Sequence, residues 1–199
     1  MVMLDYLKDL LTGIDGGPSI RRFFINTLFD STFMLLGVVV GSAFIAEPEL
    51  EVILGTMITV SFALAISSGV SVYEAESLER EREVRELEKA MLTSLEDTQI
   101  MKSARRVAII VASVNLLTPL LVCAIYISPF VMAYLGIVGI KMASWASIAI
   151  ALGTLMFAGM YMGREGKGNA VLKGMRMAAL GGIIFLIGYW ITLLFSPKM

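Results

Sequence analysis

The sequence predicts an all-α membrane protein of five transmembrane helices, N-terminus cytoplasmic, with an acidic cytoplasmic helical insertion between helices 2 and 3. Three observations predict it. The 199 residues are 57% hydrophobic and only 17% charged, against about 45–50% apolar and about 25% charged for an ordinary soluble domain. The mean hydropathy is +0.82, and several apolar runs reach the roughly 20 residues that a helix needs to cross a bilayer core about 30 Å thick. Lys and Arg crowd one side of those runs, as the positive-inside bias requires. The composition also excludes classes. A single cysteine, Cys123, makes no disulfide scaffold. The absence of histidine removes His-based triads, proton shuttles and His-ligated metal sites. A net charge of −1 gives no reason to expect nucleic acid as a partner.

Residues 1–20 read as an amphipathic N-terminal segment. Leu4, Leu7, Leu10, Leu11 and Ile14 recur at helical spacing before the breaker Gly16-Gly17-Pro18, which suits a helix lying along the membrane surface. It is no signal peptide, because it is mixed in charge and no small-residue cleavage site follows. Transmembrane helices 1 and 2 occupy residues 21–73. Phe23–Ala46 is bounded by Arg21-Arg22 and Glu47-Pro48, and Val52–Tyr73 follows a short acidic turn. Residues 74–104 form the acidic segment. Helices 3–5 lie in residues 105–199, as Val107–Ile127, Ala143–Gly163 and Met175–Phe195. The apolar stretch Ser128–Ile140 is too short to span and holds Pro129, Gly136 and Gly139, so it reads as an overhang of helix 3 and a tight return.

Every Lys and Arg except Lys141 and Lys198 falls in the N-terminal tail, the loop between helices 2 and 3, or the loop between helices 4 and 5. Those regions share one side, so the N-terminus is cytoplasmic and the turn Glu47-Pro48-Glu49-Leu50-Glu51 faces outward. The expected location is integral and multi-pass, in a prokaryotic cell membrane or, in a eukaryote, an organelle membrane. Gly37/Gly41 and Gly159/Gly163 form small-xxx-small steps, which serve helix packing within a chain or a dimer face.

Away from the ends of the runs, the one formally charged side chain is Asp30. A carboxylate at depth costs roughly 2.5 kcal/mol or more, and such residues mark ion or proton pathways. The bland alternative is a helix that starts later, with Asp30-Ser31-Thr32 as its N-cap. Met34, one turn on, and Met57, on the second run, are candidate companions for Asp30, since thioether sulfur suits softer transition metals and carboxylate harder cations. Each is equally an ordinary packing methionine. Asn115 offers a polar group inside the third run or a hydrogen bond to another helix.

Tyr73–Lys102 lacks Gly and Pro and is rich in helix formers. Glu76, Glu79, Glu83 and Glu86 share a sector of about 80° at helical spacing. Glu74, Glu81 and Glu88 lie with Arg82, Arg85 and Lys89, at i,i+3 and i,i+4 ion-pair spacing. Val84, Leu87, Met91 and Leu95 form an apolar stripe. The segment is either a solvated charged helix that docks on something or an oxygen-rich surface that gathers divalent cations. The stripe sustains little over one heptad, short of a coiled coil.

The chain resembles the vacuolar iron transporter family. The resemblance runs from Arg21 to Phe195 and is carried by Asp30 with Gly41 eleven residues on, by Ser67-Ser68-Gly69 before a Glu-rich helix, and by Lys173-Gly174-Met175-Arg176-Met177 before a Gly-Gly apolar run. It departs from the family at Ser31, at Phe33-Met34-Leu35, in the short insertion, and at Ser103-Ala104, where a glutamate is usual. The resemblance implies a homodimer in the lipid bilayer that exports Fe2+ or Mn2+ from the cytosol in exchange for protons; no resident cofactor is expected. It makes Asp30 the matching pathway carboxylate, places Glu76 and Glu79 on the family's first pair of insertion glutamates, and sets Met101 in a metal-binding methionine region. Taken with the residue pattern, the expected pathway is Asp30 with Met34 and Met57, and the expected metal-gathering residues are Glu76, Glu79, Glu83, Glu86 and Met101, with Glu96 and Asp97 standing in nearby for the missing glutamate. The competing reading is a non-transporting membrane protein whose charged cytoplasmic helix docks a partner. An enzyme is the weakest reading, since no nucleophile–base pair or paired intramembrane carboxylates occur.

Overall fold

The computed structural model describes residues 16–45, 47–95, 98–165 and 169–195. Those residues form five helices and no strand: α1 (Gly16–Ala43), α2 (Leu50–Met91), α3 (Gln99–Tyr134), α4 (Ile140–Glu165) and α5 (Ala170–Phe195). All five are long and apolar enough to cross a membrane. Of residues 1–20, only the last few are described, and they belong to α1. The breaker Gly16-Gly17-Pro18 is thus the first turn of that helix, where a proline's missing N–H costs nothing.

The long charged helix expected over Tyr73–Lys102 is divided. Its first part continues α2 without a break to Met91, and Gln99–Lys102 open α3. The stop needs no glycine. Leu92 takes a left-handed conformation (φ 52°), and the Thr93 N–H reaches back to the Glu88 carbonyl at 3.3 Å, the pattern of a Schellman cap. The Glu88 carboxylate also accepts the Leu95 N–H at 2.7 Å. Thr98 then opens α3, its carbonyl accepting the Lys102 N–H.

The other end of α3 uses the same device with the usual residue. Gly136 has φ 75°, and Ile137 N–H bonds the Met132 carbonyl while Gly136 N–H bonds that of Ala133, both at 3.0 Å. The helix thus overhangs its third run through Pro129 to Tyr134 before a short return, as expected. Pro129 orphans the Ile125 carbonyl, and the Ser128 hydroxyl donates to that oxygen at 2.7 Å.

The chain divides into two compact units. The first comprises residues up to Thr27 with Leu64–Thr118. Its core is Val72, Val107 and Val111, with Ile20 and Phe23 of α1 against them. A second cluster of Val84, Leu95 and Ala104, with Met101 beside it, closes the α2–α3 turn. Asn115 is fully buried here and receives the Thr27 hydroxyl at 2.6 Å. It therefore ties α3 to α1, the inter-helix role open to it from sequence.

The second unit comprises Leu28–Ala63 and Pro119–Met199. Leu35, Leu36, Val39, Val40, Met57, Tyr126 and Phe130 fill its core. Glycines let α4 and α5 approach closely. A Cβ on Gly159 would lie 2.9 Å from the Gly174 Cα, and one on Gly163 would lie 2.5 Å from the Ala170 Cα. The Gly159/Gly163 step thus serves packing within the chain. Phe44, Trp145, Phe185 and Tyr189 pack together, Phe44 edge-on to the other three with ring centroids 5.5–6.0 Å away, a type of aromatic grouping favoured at a membrane–water boundary.

Candidate functional site

Asp30 sits near the middle of the 28-residue α1. The N-cap alternative for Asp30-Ser31-Thr32 is therefore wrong, because the helix begins well before these residues, at Gly16. Ser31 and Thr32 face inward, at 1% and 0% exposure. The Thr32 hydroxyl donates to the Leu28 carbonyl at 2.7 Å. That leaves the Tyr126 hydroxyl of α3, 3.0 Å away, to donate to Thr32. Tyr126 is anchored a second time where the Ser147 hydroxyl of α4 bonds its carbonyl at 2.9 Å. This polar knot fixes the rotation of α1, so the residues one step round the helix point away from the core.

Those residues are Asp30, Met34, Gly37 and Gly41, which follow at steps of four, three and four and are all exposed. Met34 is 52% exposed. Among the described residues, a Cβ at either Gly37 or Gly41 would meet nothing within 4 Å. The two small-xxx-small steps of the sequence thus differ: one is filled by a neighbouring helix of the same chain, and this one lies open beside a carboxylate and a thioether. Met57 stands apart from that face. It is fully buried, and its carbonyl accepts the Ser61 hydroxyl at 2.7 Å and the Cys123 thiol at 3.6 Å.

The carboxylate row of α2 is divided in its duties. Glu76 is 3% exposed, and the Arg80 guanidinium binds it twice, through Nε at 3.0 Å and Nη2 at 2.9 Å. The same guanidinium reaches Glu83 through Nη1 at 2.9 Å. In the sequence Arg80 stands as one of the basic residues that set the orientation of the helices. Its spacing, four after Glu76 and three before Glu83, was the signal that it bridges the row. Glu79 and Glu86 are exposed, Glu81 pairs with Arg85 at 3.7 Å, and Met101 is half-buried against Val84, Leu95 and Ala104. Glu96 and Asp97 lie outside the described residues. Among the described residues, no group of three His, Cys, Asp or Glu side chains converges as a metal cage.

No protein-family model matches the chain. It is similar to uncharacterized protein MJ0645 of Methanocaldococcus jannaschii, with 27% identity over 176 residues that cover 87% of this chain and 88% of that protein.

Proposed function

We propose that the protein is a homodimeric transporter that exports Fe2+ or Mn2+ from the cytosol, by exchange with protons. The observation that carries this reading is the open face of α1: Asp30 at mid-helix, Met34 one turn on, and the notch of Gly37 and Gly41 beyond. Carboxylates within membrane-spanning helices mark ion and proton pathways. The glycine notch allows a second copy of α1 to approach closely. Two copies apposed on this face supply two carboxylates and two thioethers, a donor set that suits Fe2+ and Mn2+ without histidine. Metal ligands must be deprotonated to bind, so alternate occupation of Asp30 by metal and proton couples the two flows.

The α2 row plays a lesser part. Glu79 and Glu86, exposed and at i,i+7 spacing, attract cations to the cytoplasmic end, while Glu76 and Glu83 are held by Arg80. Met101 sits half-buried behind them.

The deciding experiment is metal uptake into proteoliposomes with an internal pH dye. The parent is expected to move Mn2+ or Fe2+ with opposite proton flux, and Asp30→Asn to lose at least 90% of it. Uptake by Asp30→Asn at the parent's rate overturns the pathway. Gly37→Leu is expected to keep the monomer folded and to abolish cross-linking between copies.

A further inference from the structure

The open row of α1 carries two kinds of donor atom, and they differ in what they select. Asp30 and Met34 stand four residues apart, about 6 Å along the axis. A long side chain on a helix leans back over the preceding turn, so the Met34 thioether comes to the turn that holds Asp30. Beyond it, Gly37 and Gly41 add no side chain. Phe29 and Phe33 stack beside the pair, ring centroids 6.2 Å apart, so that flank offers no oxygen. Met57 and Cys123 turn their sulfurs inward: Met57 is fully buried, and the buried Cys123 thiol points to the Met57 carbonyl. Met34 is exposed and is the one methionine of α1, so it is the soft donor on the row of the carboxylate. It also stands in the stretch Phe33-Met34-Leu35, where the sequence departs from the vacuolar iron transporter pattern. The donor is therefore this chain's own.

We infer that Met34 sets the metal preference of this site, favouring Fe2+ over Mn2+ and rejecting Mg2+. The inference rests on the transport reading and narrows its substrate. Carboxylate oxygen accepts all three ions, and it suits the hard cations Mg2+ and Mn2+ well. A site of Asp30 alone would therefore hold whichever hard cation is most abundant. Thioether sulfur works against that outcome. Mg2+ demands near-ideal octahedral oxygen at about 2.0–2.1 Å and gives up its waters reluctantly, so sulfur in one position costs it a ligand. Fe2+ lies above Mn2+ in the divalent series and accepts the softer donor more readily. Two copies apposed on this face bring two sulfurs, so the discrimination is made twice. The thioether binds no proton in the ordinary pH range. Met34 thus acts on ion choice, while Asp30 carries the exchange with protons.

The test compares ions in proteoliposomes of the full chain. The parent is expected to take up Fe2+ with a kcat/KM about tenfold above that for Mn2+, and to keep its Fe2+ uptake under a large excess of Mg2+. Met34→Leu conserves volume and removes the sulfur. It is expected to bring the Fe2+ to Mn2+ ratio within about twofold of unity and to let Mg2+ compete, while the pH profile and the thermal unfolding stay those of the parent. A merely structural role would move those two and slow both metals alike. Met34→Gln puts an amide oxygen in place of the sulfur, and is expected to carry Mn2+ at least as well as Fe2+. Transport by the parent with the same ion ratio in both variants overturns the inference and leaves the transport reading standing. A parent that moves neither metal overturns the transport reading and this inference with it.

Discussion

Replacing Arg80 with methionine is expected to open the α2–α3 hairpin, and the size of the effect follows from burial. The Glu76 side chain is 3% exposed and Arg80 9%, so removing the guanidinium leaves a carboxylate enclosed and unpaired. Breaking a buried pair on one side costs about 3–5 kcal/mol. Glu83, whose side chain is 52% exposed, returns to water and adds at most about 1 kcal/mol. The lower figure suits a pair close to the end of a two-helix hairpin, and about 3 kcal/mol is about 150-fold in a local opening equilibrium. Amide hydrogen exchange over Glu74–Met91 reads this directly. Arg80→Met is expected to exchange about 150-fold faster there, with residues of α4 and α5 unchanged. The double variant Glu76→Leu/Arg80→Met removes both charges and is expected to recover to within about 1 kcal/mol of the parent. Exchange by Arg80→Met within threefold of the parent, or a double variant as unprotected as the single, refutes the argument that the pair is structurally closed.

Other outcomes follow from the same geometry. Gly163→Val drives a side chain into the Ala170 backbone and is expected to lower stability by at least about 2–3 kcal/mol, seen as a fall of several degrees in thermal unfolding in detergent. Gly41→Ala, by contrast, fills open space and is expected to leave that transition unmoved. Tyr126→Phe loses the bond to Thr32, worth about 1 kcal/mol between membrane helices, measurable by the same melt. Leu92→Gly relieves a left-handed leucine and is expected to stabilise the hairpin by about 1 kcal/mol, slowing exchange over Thr93–Leu95 about fivefold.

What was legible in the sequence had a one-dimensional cause. Span length and apolar density depend only on local composition, so five helices could be read directly. The return after α3 was legible because its cap is a glycine, Gly136, and glycine is the residue that a left-handed cap selects. The stop at Leu92 uses the same hydrogen-bond pattern without that residue. It is held by the Glu88 carboxylate on the Leu95 N–H, a contact over seven positions that no propensity marks. The turn was therefore hidden inside what read as one continuous helix. Arg80 was overlooked for a different reason. Its charge was counted toward orientation, while its place between Glu76 and Glu83 gains weight only with the burial of Glu76.

The glycine pairs show where sequence stops being informative in principle. Gly37/Gly41 and Gly159/Gly163 carry the same spacing in similar apolar surroundings. Close packing needs a partner helix, and the partner is a tertiary fact. At Gly159 and Gly163 the partner is α5, with Gly174 and Ala170 at the contact. At Gly37 and Gly41 the described residues supply none within 4 Å of a Cβ. A helix in lipid gains nothing from leaving out side chains on a face that touches only acyl tails, since its dispersion contacts are then poorer. An unfilled notch on the helix that also exposes Asp30 and Met34 is therefore a cost unless a second surface closes it. That is why the transport proposal and the dimer proposal stand on the same four residues. Gly37→Leu tests them together: if copies of this variant cross-link as the parent does, the notch is not the contact, and the paired carboxylate–thioether donor set loses its geometry.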